Sequence, residues 1–272
     1  MIPNDNAVLL FKFGEKKWMS RLAAGEISFS CPGKFVFQAK HTGNDVQGDL
    51  YDGIFARLMP DDPRIERMRI ELGRDLEQLE DGDYVILRRR SAKLKPIFCM
   101  YSYTAGDILR DGSVNNSGIH NVRHDFDEKM YSGFSDGLAI KNVISDSHRF
   151  TQLTFQPKPF VEQFKKAMKL NGIKYVMKPV NYDLFEQDTF FIEPTNQYDE
   201  LFYKFPRYKY QLEARICLTE MKFGCIFDRK NIQIGELPSG DYWMTHSPLY
   251  MQLEIITKSL CNSPAERNTD AD

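Results

Sequence analysis

The sequence has no surplus of charge of either sign: 36 Lys and Arg stand against 38 Asp and Glu, a formal charge of -2. A dedicated DNA-binding domain carries a basic excess, so any nucleic-acid contact has to be local. Glycine is thinly placed. No two of the 17 are separated by a single residue, which removes GxGxxG and with it the Rossmann fingerprint and the kinase loop. GK[ST] and HExxH are missing as well. The five cysteines contain no CxxC pair, which argues against a disulfide framework or structural zinc and for a reducing compartment. No metal site is expected. No apolar run reaches the ~18 residues of a membrane span. The start MIPNDNAVLLFKFGEKK lacks the basic opening and small-residue cleavage site of a signal peptide. The expectation is a cytoplasmic protein with no membrane contact.

What the chain has in quantity is flat side chains: 20 Phe, 13 Tyr and 2 Trp make 13% of the residues. The chain shows neither internal repeats nor a low-complexity linker, so one domain over residues 1–261 is expected, with a disordered polar tail at 262–272. Residues 7–13 read as a buried strand. A short helix follows, with Trp18 and Leu22 on one face and Gly25 as its stop. Ile27 to Cys31 alternates like a half-buried strand. Asp62-Pro63 opens a helix, and Ile65, Met68, Leu72, Leu76 and Leu79 extend its stripe to Asp81-Gly82. Tyr84–Leu87 and Pro96–Tyr103 read as neighbouring antiparallel strands joined by a basic turn, Arg88-Arg89-Arg90 with Lys93 and Lys95. Residues 104–136 form a long polar loop. Thr151–Phe155 is a strand, 159–170 a helix with Phe160, Val161, Phe164, Ala167 and Met168 on one face, and IKYVMKPV another strand. A last helix is expected from Ser247-Pro248, burying Leu249, Leu253, Ile256 and Leu260. The class is α+β, with mixed or antiparallel sheets and peripheral helices.

One strand has a pattern that could carry chemistry. In KYQLEARICL, residues 209–218, Tyr210, Leu212, Ala214, Ile216 and Leu218 face the core. The other face sets out Lys209, Gln211, Glu213, Arg215 and Cys217 at steps of about 7 Å. A carboxylate between an amide and a guanidinium suits a cationic transition state; a solvated face with a cross-strand ion pair explains the same pattern. Just upstream, residues 182–210 hold ten aromatics, interleaved near the end with Lys204, Arg207 and Lys209 around Tyr208. That mixture suits a nucleotide-containing ligand or a single strand, or a core segment with snorkelling cations.

Strand, helix, Gly25 and a second strand ISFS near the start, with Gln211-x-Glu213 on a late strand, resemble the layout of mono-ADP-ribosyltransferases. The resemblance includes the nucleic-acid-modifying DarT-type toxins and bacterial phage-defence proteins with stretches like LLFKFG, IFCMYS and YKYQLEARICL. It implies an ADP-ribosyltransferase-like split of two sheets around NAD+ as co-substrate. The acceptor it implies is nucleic acid, RNA favoured over DNA, or protein, and the implied partners are an antitoxin and a chaperone. Glu213 then stabilises the oxocarbenium-like ribose and Gln211 orients the acceptor. Lys12 stands where the family places an Arg or His on the NAD+, and Ser30, Tyr51 and Ser102 compete for the second motif position. Arg215 is added as a cofactor contact, and Lys204, Arg207, Tyr208 and Lys209 as acceptor contacts. The alternative is a non-enzymatic nucleic-acid or protein-binding module built on 202–210.

Other signals are weaker. Gly133-Phe-Ser135-Asp-Gly137 matches the hydrolase elbow, with His148 and His246 as bases, but a charged segment precedes it. His120 and His124 beside Asp125 have ligand spacing on a helix yet read as loop histidines. Cys99 reads as a buried small hydrophobe.

Overall fold

The computed structural model describes residues 7–42, 48–114, 119–127, 150–182, 188–246 and 250–256. Strands β1 (Ala7–Gly14), β6 (Ile97–Thr104), β9 (Thr151–Phe155), β10 (Tyr175–Pro179), β12 (Glu213–Leu218) and β14 (Tyr242–His246) form a six-stranded sheet in the order β10-β12-β6-β1-β9-β14. A four-stranded sheet has the order β11-β3-β5-β4, from β3 (Ile54–Leu58), β4 (Leu76–Asp81), β5 (Tyr84–Arg89) and β11 (Phe190–Phe191). Strand β2 (Glu26–Phe29) pairs with β13 (Lys230–Gln233), and β8 (Ile119–Asp125) lies between β7 (Gly112–Val114) and β15 (Tyr250–Ile256). Every pairing between these strands is antiparallel, and with few helices the class is α+β, as expected.

Alternation along the strands decides which face each residue buries. Leu10, Phe98, Met100, Ala214, Ile216 and Leu218 meet helix α1 (Lys16–Ala23) and the long helix Pro157–Leu170 on one side of the large sheet. Phe160 and Phe164 of the long helix are fully buried, each contributing roughly 1.5–3 kcal/mol. On the opposite face Phe11, Tyr101 and Tyr103 pack with Val122, Phe126 and Phe150. Helix α2 (Pro32–Thr42) follows β2, and α3 (Pro63–Leu72) covers the small sheet.

Several expectations are corrected. In α1 the buried pair is Met19 and Leu22, while Trp18 is 36% exposed. Gly25 stops α1 at φ +84, where a Cβ would lie 1.9 Å from the Gly235 carbonyl oxygen. The Asp62 carboxylate caps α3 by accepting from the Arg64 N–H at 2.9 Å, but the helix ends at Gly73, with φ +50. Leu76 and Leu79 therefore lie on β4, their 3.6-residue spacing coinciding with a new element. Strands β5 and β6 belong to different sheets. The basic turn between them is partly interior: Arg88 is 1% exposed and donates to the carbonyls of Asp52 and Leu50, and Arg89 Nε donates to Glu200 at 2.6 Å. The expected last helix is a strand from Tyr250 to Ile256, paired with β8. His120 and His124 lie on β8, inside the expected loop. Ser135, His148 and the 262–272 tail lie outside the described residues. Among the described residues no helix is long and apolar enough to cross a membrane.

Candidate functional site

The site lies where the large sheet opens. Strand β1 pairs with β6 from Ala7 opposite Thr104 to Phe11 opposite Tyr101, and no further. Beyond that point β1 continues with β9 as far as Gly14 opposite Thr151, while β6 continues with β12 to Ile97 opposite Cys217. The end of β2 joins β6 instead, through two hydrogen bonds between Ser30 and Ile97 at 3.0 and 2.7 Å. The parted strands leave Lys12 and Phe13 on one lip and Cys99 and Met100 on the other. Between them is a cavity of about 210 Å³, lined also by Phe35 and by Asp49, Asp52, Lys204, Gln211, Glu213 and Arg215. A second cavity of about 370 Å³ shares Lys12, Phe13 and Phe35 with the first and continues toward Trp18, Lys34 and Arg229.

Glu213 opens β12 and is 7% exposed. Its Oε1 accepts from Arg215 Nε at 2.6 Å, and Oε2 lies 2.7 Å from the Lys204 ammonium. Burial works against its charge, but Arg215 and Lys204 outweigh burial and hold its carboxyl well below the ordinary glutamate value. Lys204, opposed first by burial, is held above the ordinary lysine value chiefly by Glu213. The Arg215 guanidinium reaches the Asp52 carboxylate at 2.7 and 3.0 Å and the Leu201 carbonyl at 2.6 Å. With both contacts to Glu213 added, all five of its N–H donors are engaged. Arg215 thus holds Glu213 in place and ties β12 to the loop before β3; it has no donor left for a ligand.

The other expected residues divide. Gln211 is not in the row with Glu213, because Pro206–Gln211 is a 3-10 turn and Leu212 is left-handed at φ 38. Its Oε1 still accepts from Lys204 Nζ at 2.8 Å, so the pair meets in space without sharing a strand. Lys12 reaches the cavity, donating to the Cys99 carbonyl at 2.5 Å, and burial lowers its pKa. Cys99 is inert: burial first, then the Glu213 charge, pushes its thiol up to about 12. Ser30 lines the second cavity. Tyr51 donates to Asp81 at 3.0 Å and packs on Phe205, and Ser102 is buried with its N–H on the Leu212 carbonyl; neither lines the first cavity. The aromatic segment is mostly interior: Phe202, Lys204 and Tyr208 are buried, leaving Arg207 and Lys209 exposed.

Sequence reasoning missed Asp49. The turn Asp49–Asp52 is closed by the Asp52 N–H on the Asp49 carbonyl at 3.2 Å and pinned from behind by Arg88. Asp49 is 3% exposed, and its Oδ1 accepts from the Tyr51 N–H at 2.9 Å. Burial is the main cause that raises it to about 6, the Asp52 charge adding to it and Lys204 opposing it. The signal for it is in GDLYDG, two acids in a glycine-bounded turn. Two carboxyl groups in one cavity, one held ionised and one titrating near neutrality, form the pattern of separated acid and base roles.

No protein-family model matches the chain, and neither a curated protein nor a solved structure is similar to it.

Proposed function

We propose that the protein is an NAD+-dependent ADP-ribosyltransferase whose chemistry takes place in the cavity between β1 and β6, on an ADP-ribosyltransferase-like split sheet. The observation that carries this reading is that an ionised Glu213 and a titratable Asp49 line one cavity. Breaking the bond between ribose C1′ and the nicotinamide nitrogen sends the electron pair to the departing neutral nicotinamide and leaves positive charge on the sugar. Glu213, fixed by Arg215 and Lys204, stabilises that charge without reorganising. Asp49 takes the proton of the acceptor hydroxyl or amine as its oxygen or nitrogen bonds to C1′. Gln211, held by Lys204, orients that acceptor. A 210 Å³ space admits only the nicotinamide ribose end of a dinucleotide, and with the second cavity the volume falls within the ~300–1,000 Å³ of ligand sites. An RNA acceptor, the antitoxin and chaperone partners and a cytoplasmic location belong to the same proposal.

The test is transfer or hydrolysis of radiolabelled NAD+. Glu213→Asp keeps the charge on Arg215 and Lys204 but withdraws the carboxylate by one methylene, and a displacement near 1 Å costs roughly 100-fold. The expected result is a loss of that size with the unfolding midpoint little changed. Parental activity in Glu213→Asp, or no NAD+ turnover by the parent, would falsify the reading.

A further inference from the structure

The second cavity differs in chemistry from the first. Trp18 of α1 stands at its edge, 36% exposed, within reach of the guanidinium groups of Arg21 at 5.2 Å and Arg229 at 5.7 Å from the ring centre. Arg21 is already committed: it forms a two-contact ion pair with Glu26, Nε lying 3.1 Å from Oε2. Lys17, 5.2 Å from the Trp18 ring centre, pairs with Glu15 at 2.7 Å. Lys34 and Arg229 have no such partner among the described residues. The nearest acid in sequence to Arg229 is Asp228, whose Oδ2 is occupied by the backbone N–H groups of Gly224 and Cys225 at 2.8 and 3.0 Å. Burial first, then the Arg229 charge, lowers the Lys34 pKa, so two cations are held together against their repulsion. Ser30 also lines the cavity, its hydroxyl oxygen buried and without a hydrogen-bond partner among the described residues.

Two unneutralised cations lining one cavity are a set of donors without an acceptor. An anion with several oxygens satisfies them together, and phosphate is the biological anion that takes charge-assisted bonds from Lys and Arg at once. The neighbouring exposed indole offers a flat apolar face at the same opening. We infer that the cavity bounded by Trp18, Lys34 and Arg229 is a nucleoside diphosphate site, with the phosphates on Lys34 and Arg229 and the base against Trp18. The site does not depend on the chemistry at Glu213. Only the source of its ligand rests on the transferase reading: the ADP half of the dinucleotide, lying across both cavities, or a nucleotide of the acceptor.

The experiment is calorimetric titration of the full chain with ADP, adenosine and inorganic diphosphate. ADP is expected to bind more tightly than either fragment. Lys34→Gln with Arg229→Gln weakens ADP by at least about tenfold, the equivalent of one charge-assisted bond, and flattens the salt dependence. Trp18→Ala weakens ADP and adenosine while leaving diphosphate unchanged. None of these side chains belongs to a buried core cluster, so the variants stay folded and their unfolding midpoints shift only slightly. Absence of ADP binding, or a double variant that binds ADP as tightly as the parent, overturns the inference. Displacement of ADP by NAD+ assigns the site to the co-substrate, and simultaneous binding assigns it to the acceptor; either supports the site. ADP binding that persists in a protein without NAD+ turnover leaves this inference standing and removes the transferase reading, whereas turnover without ADP binding does the reverse.

Discussion

The two cavities share Lys12, Phe13 and Phe35, yet their charges are settled in opposite ways. In the first, Lys12, Lys204 and Arg215 face Asp49, Asp52 and Glu213, three cations against three acids, with most contacts between 2.6 and 3.0 Å. In the second, Lys12, Arg21, Lys34 and Arg229 face Glu26 alone. A closed set of buried charges is satisfied by the fold itself. An open set is left for something outside the chain. The first cavity has therefore been built into the stability of the protein and the second has not, and that contrast can be broken by substitution.

The largest effect is expected at Arg215. It is fully buried and is the common partner of Asp52 and Glu213. Arg215→Met keeps much of the volume, takes from the buried Asp52 carboxylate its Arg215 partner and leaves Glu213 with Lys204. Such a loss costs about 3–5 kcal/mol, to be read from the midpoint of urea unfolding at pH 7. A loss below about 1 kcal/mol would show that the network contributes little and that the two cavities do not differ in the way described.

Asp49 is the exception inside the first cavity, and it is expected to act with the opposite sign. Its carboxyl is raised from 3.8 to about 6 in the folded protein. Between those values the folded state keeps a proton that the unfolded chain has released, so stability falls as pH rises through that window, and the deficit is complete above pH 6. Asp49→Asn keeps the acceptor for the Tyr51 N–H and removes the buried charge. It is expected to stabilise the protein at pH 7 by about 2 kcal/mol, with no gain at pH 4 and a flatter profile between. If Asp49 takes the acceptor proton, the same variant loses activity while gaining stability. A gain at pH 4 equal to that at pH 7 would show that its titration plays no part.

The contrast also marks how far the sequence could be read. Strand β2 and the helix ending at Asn171-Gly172 were legible because their periods match their burial, and β1 and β9 because short apolar runs mark buried strands. The stripe from Ile65 to Leu79 misled, since Leu76 and Leu79 keep helical spacing by coincidence across the 3-10 turn Gly73–Asp75, which opens at Gly73 with φ +50 and separates α3 from β4. Glu213 and Arg215 were legible as a pair on one face of a strand. Their burial was not: charged residues in alternation look solvated unless the partner is known, and Asp52 lies 163 positions away. The same distance hid Asp49. Gln211 was placed on the strand because alternation continues through it, although the left-handed Leu212 ends the alternation one residue later. Lys34 and Arg229 showed no signal at all, being 195 residues apart and meaningful only as a pair.

The smallest effect is the one that most sharpens the comparison. The folded-state pKa of Lys34 is lowered by burial and by Arg229. A base shifted downward disfavours the folded state while protonated, and stability recovers only as pH rises through the lowered value toward 10.5. At neutral pH, then, Lys34 works against folding. Its partial exposure and solvent screening keep the effect small, so Lys34→Gln is expected to raise stability by no more than about 0.5 kcal/mol. The gain should be largest at low ionic strength and vanish near 1 M salt, where the screening length falls to about 3 Å. A destabilisation that salt does not change would mean that Lys34 serves the fold, and the second cavity would then be closed in the same sense as the first. A side chain that costs stability and bonds to nothing among the described residues is one that a ligand can use.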